Sequence, residues 1–343
     1  MKYLQKFYWI LPVIIAICFR FSGFDWDDFR LLNPDERFLT QVTEAGSLPN
    51  SFDEWINPAS SRLNPANYGF HFFVYGTLPL FINKAAASLL GVQNNSQIVV
   101  QIGRFLSALF DILTVCCIGI TSHILWKNKK SVLLSMGGYA ILTAAIQQSH
   151  FYTFDTTVVF LISISTLSVL LMSIEKRPPV FIFQSVLTGF LMGCAAASKI
   201  SAVIFLLFPF LLFVALFIQF PWTKKLNRFV VLFGFICFLI SFALTFRVFQ
   251  PYAFQVPNLL NFTMNTNWLA SMKELSLQSS GSVAFPPAWQ WADRPFDYAL
   301  RNLFFYGSGI ALSLILISGL FFSFSFIKKS GVGRRDKAEE LLK

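Results

Sequence analysis

GFHFFVYGTLPLFINKAAASLLG, residues 69–91, is the stretch on which the topology of the whole chain turns. An apolar helix of about 20 residues, rising 1.5 Å per residue, crosses roughly 30 Å of hydrocarbon. By length, residues 70–90 qualify, but Pro79, Asn83 and Lys84 interrupt them. The flanking charges decide the matter. Eight other apolar runs, from the N-terminus to Phe19 and over 102–125, 131–149, 156–174, 180–198, 200–219, 229–249 and 303–327, read as spans. If 70–90 stays on one side, then Lys2 and Lys6, Lys127/Lys129/Lys130, Lys176/Arg177, Lys224/Lys225/Arg228 and the 328–343 tail all fall together, 16 Lys and Arg against seven in the opposite loops. If it crosses, the 127–130 and 176–177 clusters change sides. Cytoplasmic loops carry the excess of Lys and Arg, so 70–90 is expected to lie along the outer surface as an amphipathic helix. Both termini are then cytoplasmic.

Composition points the same way. With 55% apolar and 13% charged residues and a mean hydropathy of +0.60, the chain cannot present a water-soluble surface. The expected class is an all-α polytopic integral membrane protein of about eight transmembrane helices, with juxtamembrane helices in its first outer loop. Residues 1–327 read as one module and 328–343 as a basic cytoplasmic tail. No small-residue cleavage site follows the apolar N-terminus, so it reads as a retained first helix. The five cysteines sit inside apolar runs without metal-ligand spacing and read as packing residues. The net charge of +10 follows from the inner loops and calls for no nucleic acid. Those loops hold no glycine-rich phosphate loop and no room for a cytosolic domain, which excludes a nucleotide-driven pump.

The long hydrophilic segments, outer loops 23–101 and 250–301, are where function is to be sought. The first holds eight carboxylates, among them Asp35 and Glu36 in LLNPDERF, where apolar neighbours press the acidic pair toward the membrane surface. A partly desolvated carboxylate there is a candidate base; a solvated acidic loop is the plainer reading. In QQSHFYTFDT, His150 and Asp155 join two spans through a few residues, either as site residues or as an interfacial histidine and a helix N-cap. Arg20, Arg104, Lys199 and Arg247 stand at the outer ends of spans, against the charge rule. Singly each reads as an interface anchor, but together they suit an anionic group such as a lipid phosphate. Asp111, seven residues after Arg104 and on its face, either orients it or satisfies a buried polar contact. The second loop opens Gln250-Pro251-Tyr252 and carries Trp268, Trp289 and Trp291, as a site cover with Tyr252 a substrate contact, or as an aromatic belt. Asn94 and Asn261 open glycosylation sequons, which are common by chance.

NPDERF after the first span, the short SHFYTFD loop, AASK at the end of the fifth span and the outer loop opening with PY together resemble the GT-C membrane glycosyltransferases. The likeness is to glycosyltransferase family 39, the group of protein O-mannosyltransferases and the aminoarabinose transferase of lipid A. The resemblance runs to about residue 300. It implies a sugar donor on polyprenyl or dolichyl phosphate, a protein, lipid or glycan acceptor, and inverting transfer on the extracytoplasmic face. It also implies Asp35 as the catalytic aspartate with Glu36 beside it, Asp155 as the acidic residue of the second loop, and Lys199 and Arg104 at the lipid phosphate. No cofactor is required on this reading, although some GT-C enzymes use a divalent metal, and His150 with Asp155 would either orient the acceptor or bind a cation. Many members carry more spans and a soluble C-terminal domain that this sequence does not show. Two other classes stay open: a transporter, disfavoured because ionisable residues cluster at the outer ends with Asp111 alone deeper, and a non-catalytic binder of lipid-linked sugars.

Overall fold

The computed structural model describes residues 8–92, 95–219, 226–281, 283–289 and 294–329. They form α1 (Ile10–Phe21), α2 (Pro34–Ala45), α3 (Phe52–Ile56), α4 (Leu78–Leu89), α5 (Ser96–Trp126), α6 (Lys129–Ala140), α7 (Thr143–Ser149), α8 (Asp155–Ile174) and α9 (Pro178–Ser198). A 3₁₀ segment, Ile200–Leu206, runs into α10 (Leu207–Phe217), followed by α11 (Arg228–Phe249), α12 (Thr266–Ser279), α13 (Pro286–Trp289), α14 (Tyr298–Asn302) and α15 (Ile310–Lys329). Among the described residues the only extended pairing is an isolated antiparallel bridge between Phe254 and Met264. Trp291, Asn94, Lys224, Lys225 and the tail beyond Lys329 lie outside the described residues.

Among the described residues, five helical rods are long and apolar enough to cross a membrane: α5, α8, α9, Ile200–Phe217 and α11. A sixth is a pair, Tyr298–Gly307 and Ile310–Gly319, bent by 114° where a single span over 303–327 was expected. The first expected span shows 12 described residues in α1. Residues 131–149 are not one helix, since α6 stops at Ala140 and α7 starts at Thr143. The eight expected spans therefore appear as five continuous rods, one bent pair, one shorter helix and one broken helix. On the Ile200–Phe217 rod and on α11, Ile204, Leu207, Phe229 and Phe233 are more than half exposed, which suits lipid and not water.

The core pairing is α9 against α11. Gly189 and Gly193, four apart on α9, meet α11 so closely that an added Cβ would stand 2.3 Å from the Phe238 carbonyl oxygen and 2.6 Å from Thr245 Cβ. Small residues at this spacing let membrane helices touch backbone to backbone. The polypeptide's polar segments gather at one end of the bundle: α2, α3, α4 and α12 sit with the C-terminal ends of α1, α9 and α11 and the N-terminal ends of α5 and α8, as the contacts described below show. At 12 residues α4 is not among the helices long and apolar enough to cross a membrane, and unlike α1 it carries buried polar groups mid-helix. It is not a helix with its polar side in water, however. Asn83 and Lys84 are both buried, with Asn83 donating to the Val99 carbonyl at 3.2 Å and Lys84 Nζ to the Glu44 carbonyl at 3.3 Å.

The break between α6 and α7 has a chemical cause. Helix ends leave carbonyls without partners, and hydrocarbon supplies none. Arg20, fully buried at the end of α1, donates Nη1 to the Ala140 carbonyl and Nη2 to that of Tyr139 at 3.2 Å. Its Nε pairs with Asp111 at 2.7 Å, and Asp111 also accepts from the Tyr139 hydroxyl at 2.7 Å. Asp111 thus serves Arg20, not Arg104.

Candidate active site

The sequence NPDE builds a helix start. Asn33 caps α2 by accepting from the backbone amides of Asp35 (3.0 Å) and Glu36 (3.1 Å), and Pro34 takes the first helical position, where no amide is needed. Two acidic residues in the first turn then complement the positive end of the helix. The helical turn sends the neighbouring carboxylates in opposite directions: Asp35 is exposed, whereas Glu36 is fully buried.

Glu36 is clamped. Arg104 grips it with two prongs, Nε to Oε1 at 2.8 Å and Nη2 to Oε2 at 2.7 Å, and the Tyr152 amide donates to Oε1 at 2.7 Å. The same guanidinium reaches Asp27 at 2.8 Å and the Phe24 carbonyl at 2.9 Å, between the rings of Trp26 and Phe29. Burial by itself would raise the Asp27 carboxyl, but the Arg104 hydrogen bond, the Leu32 and Phe29 amides and the Arg104 charge together hold it below the usual carboxylate range. Asp28, Phe29 and Leu31 adopt left-handed backbone (φ 51°, 56° and 56°), strain sustained by the contacts that Asp27 makes on either side. This clamp fixes the height of α2, and with it Asp35.

Three further side chains are linked to Asp35 through Tyr75. Tyr75 lies beside it: burial pushes the Tyr75 phenol up, the Asp35 carboxylate adds to the shift, and Asp155 adds more weakly. Asp155 is held at 2.7 Å by Lys199, both side chains a little under half exposed. Asp155 is not the N-cap of α8; that position is Phe154, and Asp155 occupies the first turn with its side chain turned to Lys199. Phe38, one turn after Asp35, packs on Phe70, Phe73 and Tyr75. Gly76 completes the arrangement. Its amide donates to the Ser198 carbonyl at 3.1 Å, next to Lys199, and an added Cβ would lie 2.1 Å from the Ala197 carbonyl oxygen. Backbone cannot yield there, so Gly76→Ala is expected to lever Tyr75 away from Lys199. The expected cost is about 1–3 kcal/mol, as overpacking commonly costs, seen as earlier thermal unfolding together with lost activity.

The four basic residues expected as one ring are divided. Lys199 alone of the four is exposed. Arg20 and Arg104 are spent in buried ion pairs. Arg247 is also fully buried; its Nη2 donates to the carbonyls of Val256 (2.6 Å) and Asn258 (3.2 Å), and it stacks on Phe254, so it ties the second loop to α11. Nε and Nη1 of Arg247 have no partner among the described residues. His150 is occupied as well, its ring nitrogens each 2.7 Å from the carbonyls of Ile146 and Ser22, which fastens the short connection to the end of α1. Tyr252 is buried, its hydroxyl 2.8 Å from that of Ser61. The structure thus adds Tyr75 as a site residue and Asp27 as part of the clamp. Only the acidic run around Asp27 was visible as a signal; nothing in the local sequence singles out Tyr75, which stands far along the chain from both Asp155 and Lys199.

As for a metal, no three His, Cys, Asp or Glu side chains converge among the described residues. Of the two carboxylates near Tyr75, Asp155 is paired with the Lys199 ammonium, so a divalent cation held by one or two carboxylates would compete with that ammonium.

The helical membrane bundle, with an exposed aspartate on a helix at one end backed by a buried carboxylate–arginine clamp, is that of a GT-C type protein by the family match to residues 79–256. The chain belongs to the dolichyl-phosphate-mannose-protein mannosyltransferase family, whose sequence model matches residues 79–256, more than half of it. The matched part contains Arg104, Asp155 and Lys199 and leaves Asp35 and Glu36 outside. Among solved structures the fold is similar to the oligosaccharyltransferase of Archaeoglobus fulgidus, crystallised with Zn and sulfate, at 15% identity and a TM-score of 0.53. That likeness covers 95% of this chain but only 40% of the archaeal one. No curated protein matches the chain in sequence.

Proposed function

We propose that this protein is an inverting glycosyltransferase that moves a sugar from a polyprenyl- or dolichyl-phosphate carrier to an acceptor hydroxyl on the extracytoplasmic face. Family membership supports the class of donor. The observation that carries the reading is Asp35, exposed at the start of α2 beside Tyr75 and the Asp155–Lys199 pair, while its neighbour Glu36 is locked away. Asp35 takes the proton of the acceptor hydroxyl as that oxygen bonds to the anomeric carbon. The bond from that carbon to the phosphate oxygen breaks on the opposite face, and the carrier leaves as a phosphate monoester. A phosphate is a stable leaving anion and needs no general acid; Lys199 meets the charge that develops on it. Asp155 holds Lys199 in place, and Tyr75, kept neutral by its surroundings, offers a hydroxyl to either sugar or phosphate. Charge asymmetry supports cytoplasmic termini, and with them a site on the opposite side of a cell membrane.

The test is release of polyprenyl phosphate from a panel of polyprenyl-phosphate sugars by the purified protein in lipid, with candidate acceptors supplied. Sugar-dependent release supports the transferase; donor binding without release under any acceptor would leave a binder or transporter. Lys199→Met is expected to raise KM for donor about tenfold, the order of one charge-assisted hydrogen bond. It should change stability by less than about 1 kcal/mol because the Asp155 pair is half exposed. Lys199→Arg should retain most of the affinity.

A further inference from the structure

Next to the site lies a cavity of about 290 Å³ between the first outer loop and the hairpin that follows α11. Its volume is near the lower end of small-molecule sites, roughly 300–1,000 Å³. Among its lining residues there is no Asp, Glu, Lys or Arg. Gln250, Gln255, Asn265, Asn267 and Trp268 face it, with Phe70 and Phe73 supplying ring surface. One of these polar groups is buried and unspent: the Trp268 indole N–H has no hydrogen-bond partner among the described residues. Gln250 is 4% exposed and also lines the cavity; its side-chain oxygen accepts from the Thr77 amide and hydroxyl, both at 2.7 Å. A buried donor without a partner costs about 1–3 kcal/mol, so the Trp268 N–H on this wall points to a ligand that accepts from it.

We propose that this cavity binds one neutral, hydroxyl-bearing saccharide unit, presented as the acceptor glycan. Resting on the transferase reading above, this names its acceptor class. Hydroxyls donate and accept at once, matching side-chain amides that do the same, and the apolar face of a sugar ring stacks on aromatic rings. An anionic ligand would meet no Lys or Arg here, His71 being the one basic side chain in the lining, and a lipid chain would meet no continuous apolar wall. A peptide is favoured by open strand edges. The Phe254–Met264 hairpin keeps its backbone groups to itself, Gln255 donating to the Thr263 carbonyl at 2.9 Å and Asn265 to that of Ala253 at 2.8 Å. Gln250 and Trp268 also line a narrow cleft with Tyr75 and Ile200, the residue after Lys199, so the cavity adjoins the Tyr75 side of the site.

The experiment uses the full chain in lipid nanodiscs and has two arms. Binding of neutral oligosaccharides is titrated by calorimetry against wild type, Trp268→Phe and Asn267→Ala, without donor. Transfer from polyprenyl-phosphate mannose is then measured onto the same oligosaccharides and onto a Ser/Thr peptide. Trp268→Phe keeps the ring and removes the N–H, so about three- to tenfold weaker saccharide binding and an equal rise in acceptor KM, at unchanged kcat, are expected. Saccharide binding without any turnover would uphold the cavity and sink the transferase reading. If Trp268→Phe weakens donor instead of free oligosaccharide, the saccharide bound is the donor's own, and the acceptor assignment falls. Transfer to peptide that neither substitution alters and no oligosaccharide inhibits would overturn the proposal while leaving the transferase intact.

Discussion

Asp35→Asn is expected to lower turnover by roughly 10²–10⁴-fold, the usual contribution of a positioned general base, with donor affinity and thermal stability unchanged. The stability half of this expectation rests on exposure. The Asp35 side chain is exposed and its neighbour is the Tyr75 phenol, which a carboxamide oxygen can still accept from; α2 is capped by Asn33 through backbone amides that the substitution leaves in place, and the helix is seated by Glu36 and Phe38. The measurement is single-turnover release of polyprenyl phosphate beside a denaturation curve in detergent. A variant that retains wild-type turnover would remove Asp35 from the chemistry, and one that unfolds early would make it a structural residue.

The clamp behind that position should behave in the opposite way. Arg104→Met leaves the Asp27 and Glu36 carboxylates fully buried and without their counter-charge, and breaking such a pair commonly costs about 3–5 kcal/mol. The loss should appear as early unfolding, and activity should fall only in step with the folded fraction. Stable protein that has lost donor affinity would instead return Arg104 to the lipid phosphate, as the sequence resemblance implied. The clamp also has a pH sign. Asp27 is held below its ordinary range, so its contribution is complete at neutral and mildly acidic pH and is lost only as the pH drops below about 4 and through the depressed folded value.

What the sequence made legible was set by how local each signal is. Span positions and the choice against a crossing at 70–90 follow from runs and charges along the chain, and α4, at 12 residues, agrees. NPDE could be read as an active-site helix start because cap, proline and carboxylates are consecutive. The partition of charges could not be read so. Arg20, Arg104, Lys199 and Arg247 look alike in sequence, and their partners lie from nine to 120 residues away, so only packing reveals that three are buried and one is exposed. The break at Ala140 was hidden for the same reason: the side chain that meets its carbonyls is an arginine on another helix. Tyr75 shows in sequence as one aromatic among many.

That arginine bears on how the protein is made. A helix end with open carbonyls has no resting place in hydrocarbon by itself, and an aspartate such as Asp111 costs about 2.5–3.5 kcal/mol at mid-bilayer on insertion scales, with Arg20 at a helix end costing less. α1, α5 and the α6–α7 pair are therefore each poor independent inserters and good joint ones. α1 precedes both partners in the chain, so its arginine has no Asp111 to pair with until 91 further residues have followed, and no Ala140 carbonyl until later still. The first helix is best regarded as a client of the insertion machinery, released into lipid only when its partners have been delivered.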